Sequence, residues 1–320
     1  MADNRALITG GWVGALGIAG LAAYSHHVGR AAEARVPPDG DFLEVEGARL
    51  HYVDKGPRDG EGPAVVLIHG LAGQMRNFNY EVADRLAETH RVILIDRLGS
   101  GHSLAAPGTH PGLRAQGALI ASFLEQLQIE RPLLVGHSMG GAVSLAAALA
   151  APDQVGGLAL LAPLTQPQPF GSAALQELLR GGAPLRRLIA HTVAVPILQL
   201  RSRRAVRRAF TPEYAPDDFA IRGGGLLSLR PETIDIAATE LVHANPDLSA
   251  MAALYPTLDL PSAILFGAQD AVLDPERDGA PTAAAIRGCR YEVIDGGHMI
   301  PVTQPERIVQ FILDTAARIR

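Results

Sequence analysis

The stretch that decides the fold is Val135-Gly136-His137-Ser138-Met139-Gly140-Gly141. The apolar run Pro132–Val135 leads into it, and an alanine-rich segment, Ala142 to Ala151, leads out. This order predicts a strand, a sharp turn and a helix. Gly136-x-Ser138-x-Gly140 has the pattern of a nucleophile elbow, a turn that holds a serine in strained backbone at a strand tip. Neighbouring side chains must then be small, and glycines meet that need. Outward from the elbow, Ala64–Ile68, Val92–Ile95 and Leu158–Leu161 are continuous apolar runs, as expected of strands covered on both faces. Ser262–Phe266 and Tyr291–Ile294 extend the series. Phe42–Glu46 and Arg49–Asp54 interleave polar and apolar residues and predict an antiparallel hairpin at one edge. Helical patterns lie between most of these runs. The alternation implies a mostly parallel, eight-stranded, doubly wound α/β sheet. Functional groups on such sheets gather at the carboxyl ends of the strands.

The rhythm breaks between Pro163 and Thr257. A structureless loop of that length is improbable in a compact domain, so residues 163–257 are expected to form a helical cap. Its helices are predicted near Ser172–Arg180, Pro184–Ala190, Val195–Phe210 and Pro231–His243. Residues 41–162 and 258–320 form the core. Residues 1–40 form an N-terminal hydrophobic helix and linker.

Composition narrows the function. The 320-residue chain is 48% hydrophobic with a net charge of −5, which gives no case for nucleic acid binding. The single cysteine, Cys289, excludes an internal disulfide and a cysteine-based metal cluster. Ala6 to Ser25 carries no charged residue, a length that fits a bilayer-spanning helix, although glycines dilute it. An uncleaved membrane anchor is the first reading; a cleaved secretion signal and a buried N-terminal segment compete with it. Arg186, Arg187, Arg201, Arg203, Arg204, Arg207 and Arg208 form a basic stretch with no acidic residue between Glu177 and Glu213. It is a solvated face or a second contact with anionic lipid.

A serine hydroxyl needs an imidazole to take its proton, and the imidazole needs a carboxylate to fix its tautomer. On this sheet the expected order is Ser, acid, His. Ser138, Asp270 and His298 have that order, each in a glycine-containing loop directly after an apolar strand. Asp274 and Asp295 are rivals, less suited because one lies further from its strand end and the other only three residues before His298. Two backbone N–H groups should face the oxyanion: that of Met139, and one from the loop after Ile68, with Leu71 first and Ala72 second.

The pieces "LIHG" (67–70), "DRLGSGHS" (96–103), "GHSMGG" (136–141), "FGAQD" (266–270) and "GGHMIPVTQPE" (296–306) resemble the α/β-hydrolase superfamily from about Phe42 to the C-terminus. With the anchor and cap, the chain is similar to membrane-attached monoacylglycerol lipases and related carboxylesterases. Members with "DRPGxG" have Pro where this chain has Leu98, a difference at a structural turn. The resemblance gives Ser138, Asp270 and His298 the roles already read from the residues. It implies a serine hydrolase of small or lipid-like esters with no cofactor and no metal. A C–C bond hydrolase of a ring-cleavage diketone is the alternative within enzymes. A non-catalytic hydrolase-fold binding protein is the alternative outside them.

Overall fold

In a computed structural model, residues 3–106, 112–170, 177 and 181–319 are described, residues 3–15 as backbone only. The strands are β1 (Asp41–Val45), β2 (Ala48–Lys55), β3 (Val65–Ile68), β4 (Val92–Ile95), β5 (Leu104–Ala105), β6 (Leu133–His137), β7 (Gly157–Leu161), β8 (Ser262–Gly267) and β9 (Arg290–Ile294). They form one sheet in the order β1-β2-β4-β3-β6-β7-β8-β9, with β5 paired to β2. Among the described residues the sheet has nine strands, where eight are expected from the sequence. The added strand is two residues long, too short to leave a periodic signal.

From β4 to β9 all pairings are parallel; β1, β2 and β5 pair antiparallel at one edge. Alternate strand residues feed two separate cores. Val66, Ile68, Leu134, Leu160 and Ile264 pack on one face, against α3 (Leu113–Gln126) and α4 (Met139–Ala150). Val65, Leu67, Val135, Leu161 and Leu265 pack on the other, against α2 (Val82–Leu86) and the closing helix Pro305–Ala316. Burial on both faces explains why these strands read as unbroken apolar runs. The register sets Ile68 beside Gly136, and His137 beside Leu161. The turns after β3, β6, β7, β8 and β9 thus open along one rim.

Between β7 and β8 the chain leaves the sheet and forms helices α5 (Ala183–Ile189), α6 (Val195–Phe210) and α7 (Pro231–Ala252). The helix expected at Ser172–Arg180 falls almost wholly outside the described residues. Helix α7 runs past His243 to Ala252 with Pro246 inside it. Arg201, Arg203, Arg204, Arg207 and Arg208 are exposed on α6.

The expectation of an N-terminal membrane anchor is corrected. Asp3–Arg35 is one continuous helix, α1, but no helix among the described residues is long and apolar enough to cross a membrane. The uncharged segment continues without a break into Ser25–Arg35, which carries His26, His27, Arg30, Glu33 and Arg35. This half of α1 is docked on protein. The buried Ser25 hydroxyl donates to the Thr192 carbonyl at 2.9 Å. The Tyr24 hydroxyl donates to Gln199 Oε1 at 2.8 Å. Glu33 Oε1 lies 2.9 Å from Arg230 Nε. Ala32 and Val36 pack on Leu227.

Candidate active site

Ser138 sits between β6 and α4 with φ 55° and ψ −122°. A non-glycine residue there is strained, and persists only because its surroundings over-determine it. Its N–H donates to the Leu161 carbonyl at 3.0 Å, and its carbonyl accepts from Gly141 and Leu164 at 2.9 and 3.0 Å. The elbow also presses on the neighbouring strand. A Cβ at Gly140 would lie 2.1 Å from the Ile68 carbonyl oxygen, and one at Gly70 would lie 2.9 Å from the Ser138 Cβ. Only residues without a side chain allow this approach.

His298 lies in the turn after β9, and its Nδ1 is 2.7 Å from Asp270 Oδ2. The other Asp270 oxygen accepts the N–H groups of Val272 and Leu273 at 2.7 and 2.9 Å. The carboxylate is fully shielded from solvent and the imidazole nearly so. Of the two rivals, the Asp274 side chain is engaged elsewhere, capping the turn at Glu276. With Asp270 ionised, His298 carries its proton on Nδ1 and leaves Nε2 as the basic nitrogen.

Ser138, His298, Leu71 and Met139 line one cavity of about 580 Å³. Its walls include Leu164, Phe170, Phe210 and Phe219 and are mainly apolar. Residues of α6, among them Val206 and Ala209, close one side. Met139 opens α4, where the first N–H groups of a helix have no intrahelical acceptor.

Several supporting residues lie in the motif stretches, but the sequence alone assigns them no role. His137 donates Nε2–H to the His298 carbonyl at 2.9 Å. Burial, and then the nearby His298, push its pKa down to about 3. His69 accepts the Arg97 N–H on Nε2 at 2.9 Å. Its proton is therefore on Nδ1 and is donated to the Gly70 carbonyl at 2.8 Å. Burial and the Arg97 charge lower its pKa to about 3. Arg97 and Glu240 form an ion pair with no solvent exposure on either side chain. Asp96, beside Arg97, pairs with His51 at 2.7 Å and ties β2 to the rim.

Residues 63–305 match the pattern of the alpha/beta hydrolase fold family. The chain belongs to that family. It is similar to the dihydrolipoyllysine-residue acetyltransferase component of the acetoin cleaving system of Cupriavidus necator, 34% identical over 145 residues, covering 45% of this chain and 37% of that protein. The match thus spans well under half of that relative. It is also similar to the 2-hydroxy-6-oxononadienedioate/2-hydroxy-6-oxononatrienedioate hydrolase of Paraburkholderia xenovorans, 38% identical over 118 residues, 35% of this chain and 39% of that one. Among solved structures, a thermophilic esterase from Thermogutta terrifontis superposes with a TM-score of 0.64 at 27% identity, covering 86% of this chain and 97% of the esterase.

Proposed function

We propose that this protein is a serine hydrolase that cleaves a carboxylic ester through an acyl-enzyme on Ser138. The observation that carries the reading is the His298–Asp270 pair at 2.7 Å, on the same apolar cavity as a strained Ser138. Ser138 Oγ attacks the ester carbonyl carbon while His298 Nε2 takes its proton. The carbonyl oxygen becomes an oxyanion facing the Leu71 and Met139 N–H groups. Collapse breaks the acyl C–O bond, and the leaving alcohol takes the proton from His298. Water then attacks the acyl carbon and gives its proton to His298; the bond from the acyl carbon to Ser138 Oγ breaks, Oγ takes that proton back, and the acid is released. Residues 163–257 act as a cap over the cavity, and the apolar walls suit an acyl chain.

Fluorophosphonate labelling of wild type and Ser138→Ala tests the nucleophile. Labelling is expected in wild type alone, and labelling that survives the substitution rejects the assignment. Hydrolysis of p-nitrophenyl and glyceryl esters of increasing chain length then tests the substrate class.

A second reading, a C–C bond hydrolase of a ring-cleavage diketone, is favoured by the 38% identity to the Paraburkholderia hydrolase. Turnover of such a diketone by an enzyme that leaves every ester intact would select it.

A further inference from the structure

The Gly70–Leu71 peptide is gripped on its carbonyl side by three donors. His69 Nδ1 lies 2.8 Å from the Gly70 oxygen, the Gly73 N–H 3.2 Å, and Arg97 Nη2 3.2 Å. Arg97 Nε also donates to the preceding carbonyl, that of His69, at 2.9 Å. In a trans peptide the N–H points opposite to the C=O. Whatever fixes the Gly70 oxygen therefore fixes the direction of the Leu71 N–H. A cation on the carbonyl side also draws electron density along the amide and strengthens that N–H as a donor.

Arg97 is itself held from behind. Its Nη1 donates to Gln116 Oε1 at 2.8 Å and to Glu240 Oε1, and its Nη2 reaches Glu240 Oε2 at 3.3 Å. Gln116 Nε2 completes the set with a 2.6 Å bond to Glu240 Oε1. All three side chains are buried. A buried ion pair is a weak source of stability, since apolar residues of like volume often serve as well. Its presence behind this one peptide points to a task other than holding the fold.

We propose that Arg97, locked by Glu240 and Gln116, is a positioning residue that aims and polarises the Leu71 N–H toward the reaction oxyanion. The proposal rests on the serine-hydrolase reading. It adds that α7, through Glu240, sets the oxyanion site, so the helices between β7 and β8 reach the chemistry as well as the cavity wall.

The test uses the full chain as wild type, Arg97→Lys, and the double variant Arg97→Met/Glu240→Leu, which removes both charges together and strands neither. Four quantities are read: kcat and KM for p-nitrophenyl butyrate, the inhibition constant of butaneboronic acid, the fluorophosphonate labelling rate, and Tm. Boronic acid adds to Ser138 Oγ as a tetrahedral anion and reports on the oxyanion site. In the double variant kcat is expected to fall roughly 10- to 100-fold with KM nearly constant, and boronate affinity and labelling rate to fall in parallel. Tm is expected to fall, because the buried Gln116 amide and the His69 carbonyl lose their partners, so kcat is read per folded enzyme. Arg97→Lys keeps a charge for Glu240 but loses the planar fork, so it should recover part of the loss. A folded double variant with wild-type kcat and boronate affinity overturns the proposal, as does a fall in kcat that leaves boronate affinity intact. If the double variant does not fold, Arg97→Lys decides: an unchanged kcat overturns the proposal, and a several-fold loss at constant KM upholds it. Labelling that persists in Ser138→Ala instead rejects the serine-hydrolase reading itself.

Discussion

Glu213 accepts the backbone N–H of Gly297 with both carboxylate oxygens, at 3.1 and 3.3 Å, one residue before His298. Gln269 Oε1 takes the neighbouring Gly296 N–H at 2.6 Å. The turn that carries the imidazole is thus held from two sides, by a residue that follows α6 and by one beside Asp270. Small misplacements of a catalytic group cost large factors in rate. Glu213→Ala should lower kcat for a p-nitrophenyl ester roughly 10-fold with little change in KM. Glu213→Gln keeps an acceptor oxygen and should retain most of the activity. Equal losses in the two variants would show that charge, not the hydrogen bond, is what Glu213 supplies.

Asp270 Oδ2 faces His298 Nδ1 while its Oδ1 is occupied by two backbone N–H groups, and in the proposed mechanism this contact fixes the tautomer of His298. Asp270→Asn places an amide where an acceptor is required, and the imidazole then turns its acceptor nitrogen away from Ser138. Esterase kcat is expected to fall about 10⁴-fold with the fold intact, as for the same change in other triads. A decrease of less than tenfold, at unchanged circular dichroism, would move the acid role to another carboxylate.

Much of this site was legible in the sequence, and the reason is local. Ser138 and Asp270 each follow a strand buried on both faces, and His298 follows the partly exposed edge strand β9; both the apolar runs and the glycine turns are written in consecutive residues. Arg97, Glu240 and Gln116 were not legible. Arg97 and Glu240 are 143 residues apart, and nothing near Glu240 marks it as buried. Glu213 reads as an ordinary polar residue between helices, because its partner is a backbone N–H 84 residues away. Helix α1 misled for a related reason. Hydropathy over Ala6–Ser25 counts uncharged residues, but it does not see that Ser25 and Glu33 have partners on Thr192 and Arg230.

Two of the buried histidines, His69 and His137, make stability depend on pH. His69 and His137 have folded pKa values of about 3, lowered first by burial; in the unfolded chain the value is about 6.5. A depressed histidine pKa means that the unfolded chain binds protons first. Stability is then fully present above about pH 6.5 and declines as pH falls toward about 3. At about pH 5 each histidine should cost about 2 kcal/mol relative to neutral pH. His137→Gln removes one of the two titrations and can still donate to the His298 carbonyl. Urea unfolding midpoints at neutral pH and at about pH 5 should show a clearly smaller drop for the variant. Equal drops would mean that His137 takes up its proton in the folded protein without penalty.

Gly140 and Gly288 separate close approach from backbone conformation. A Cβ at Gly140 meets the Ile68 oxygen at 2.1 Å and the His69 oxygen at 2.6 Å, both backbone atoms of the strand and turn beside the elbow. At Gly288 φ is +68° but nothing lies within 4 Å of the added carbon. Gly288→Ala should therefore cost only the left-handed backbone term, about 1–2 kcal/mol, and leave catalysis unchanged. Gly140→Ala must push β3 and the His69–Gly70 turn away from Ser138. A loss of about 1–3 kcal/mol is expected from the overpacking alone. Because the displaced turn carries the Leu71 N–H, activity should fall further than stability does, with kcat reduced in the folded fraction. Wild-type kcat in a destabilised Gly140→Ala protein would show that the turn can shift without moving the oxyanion donor.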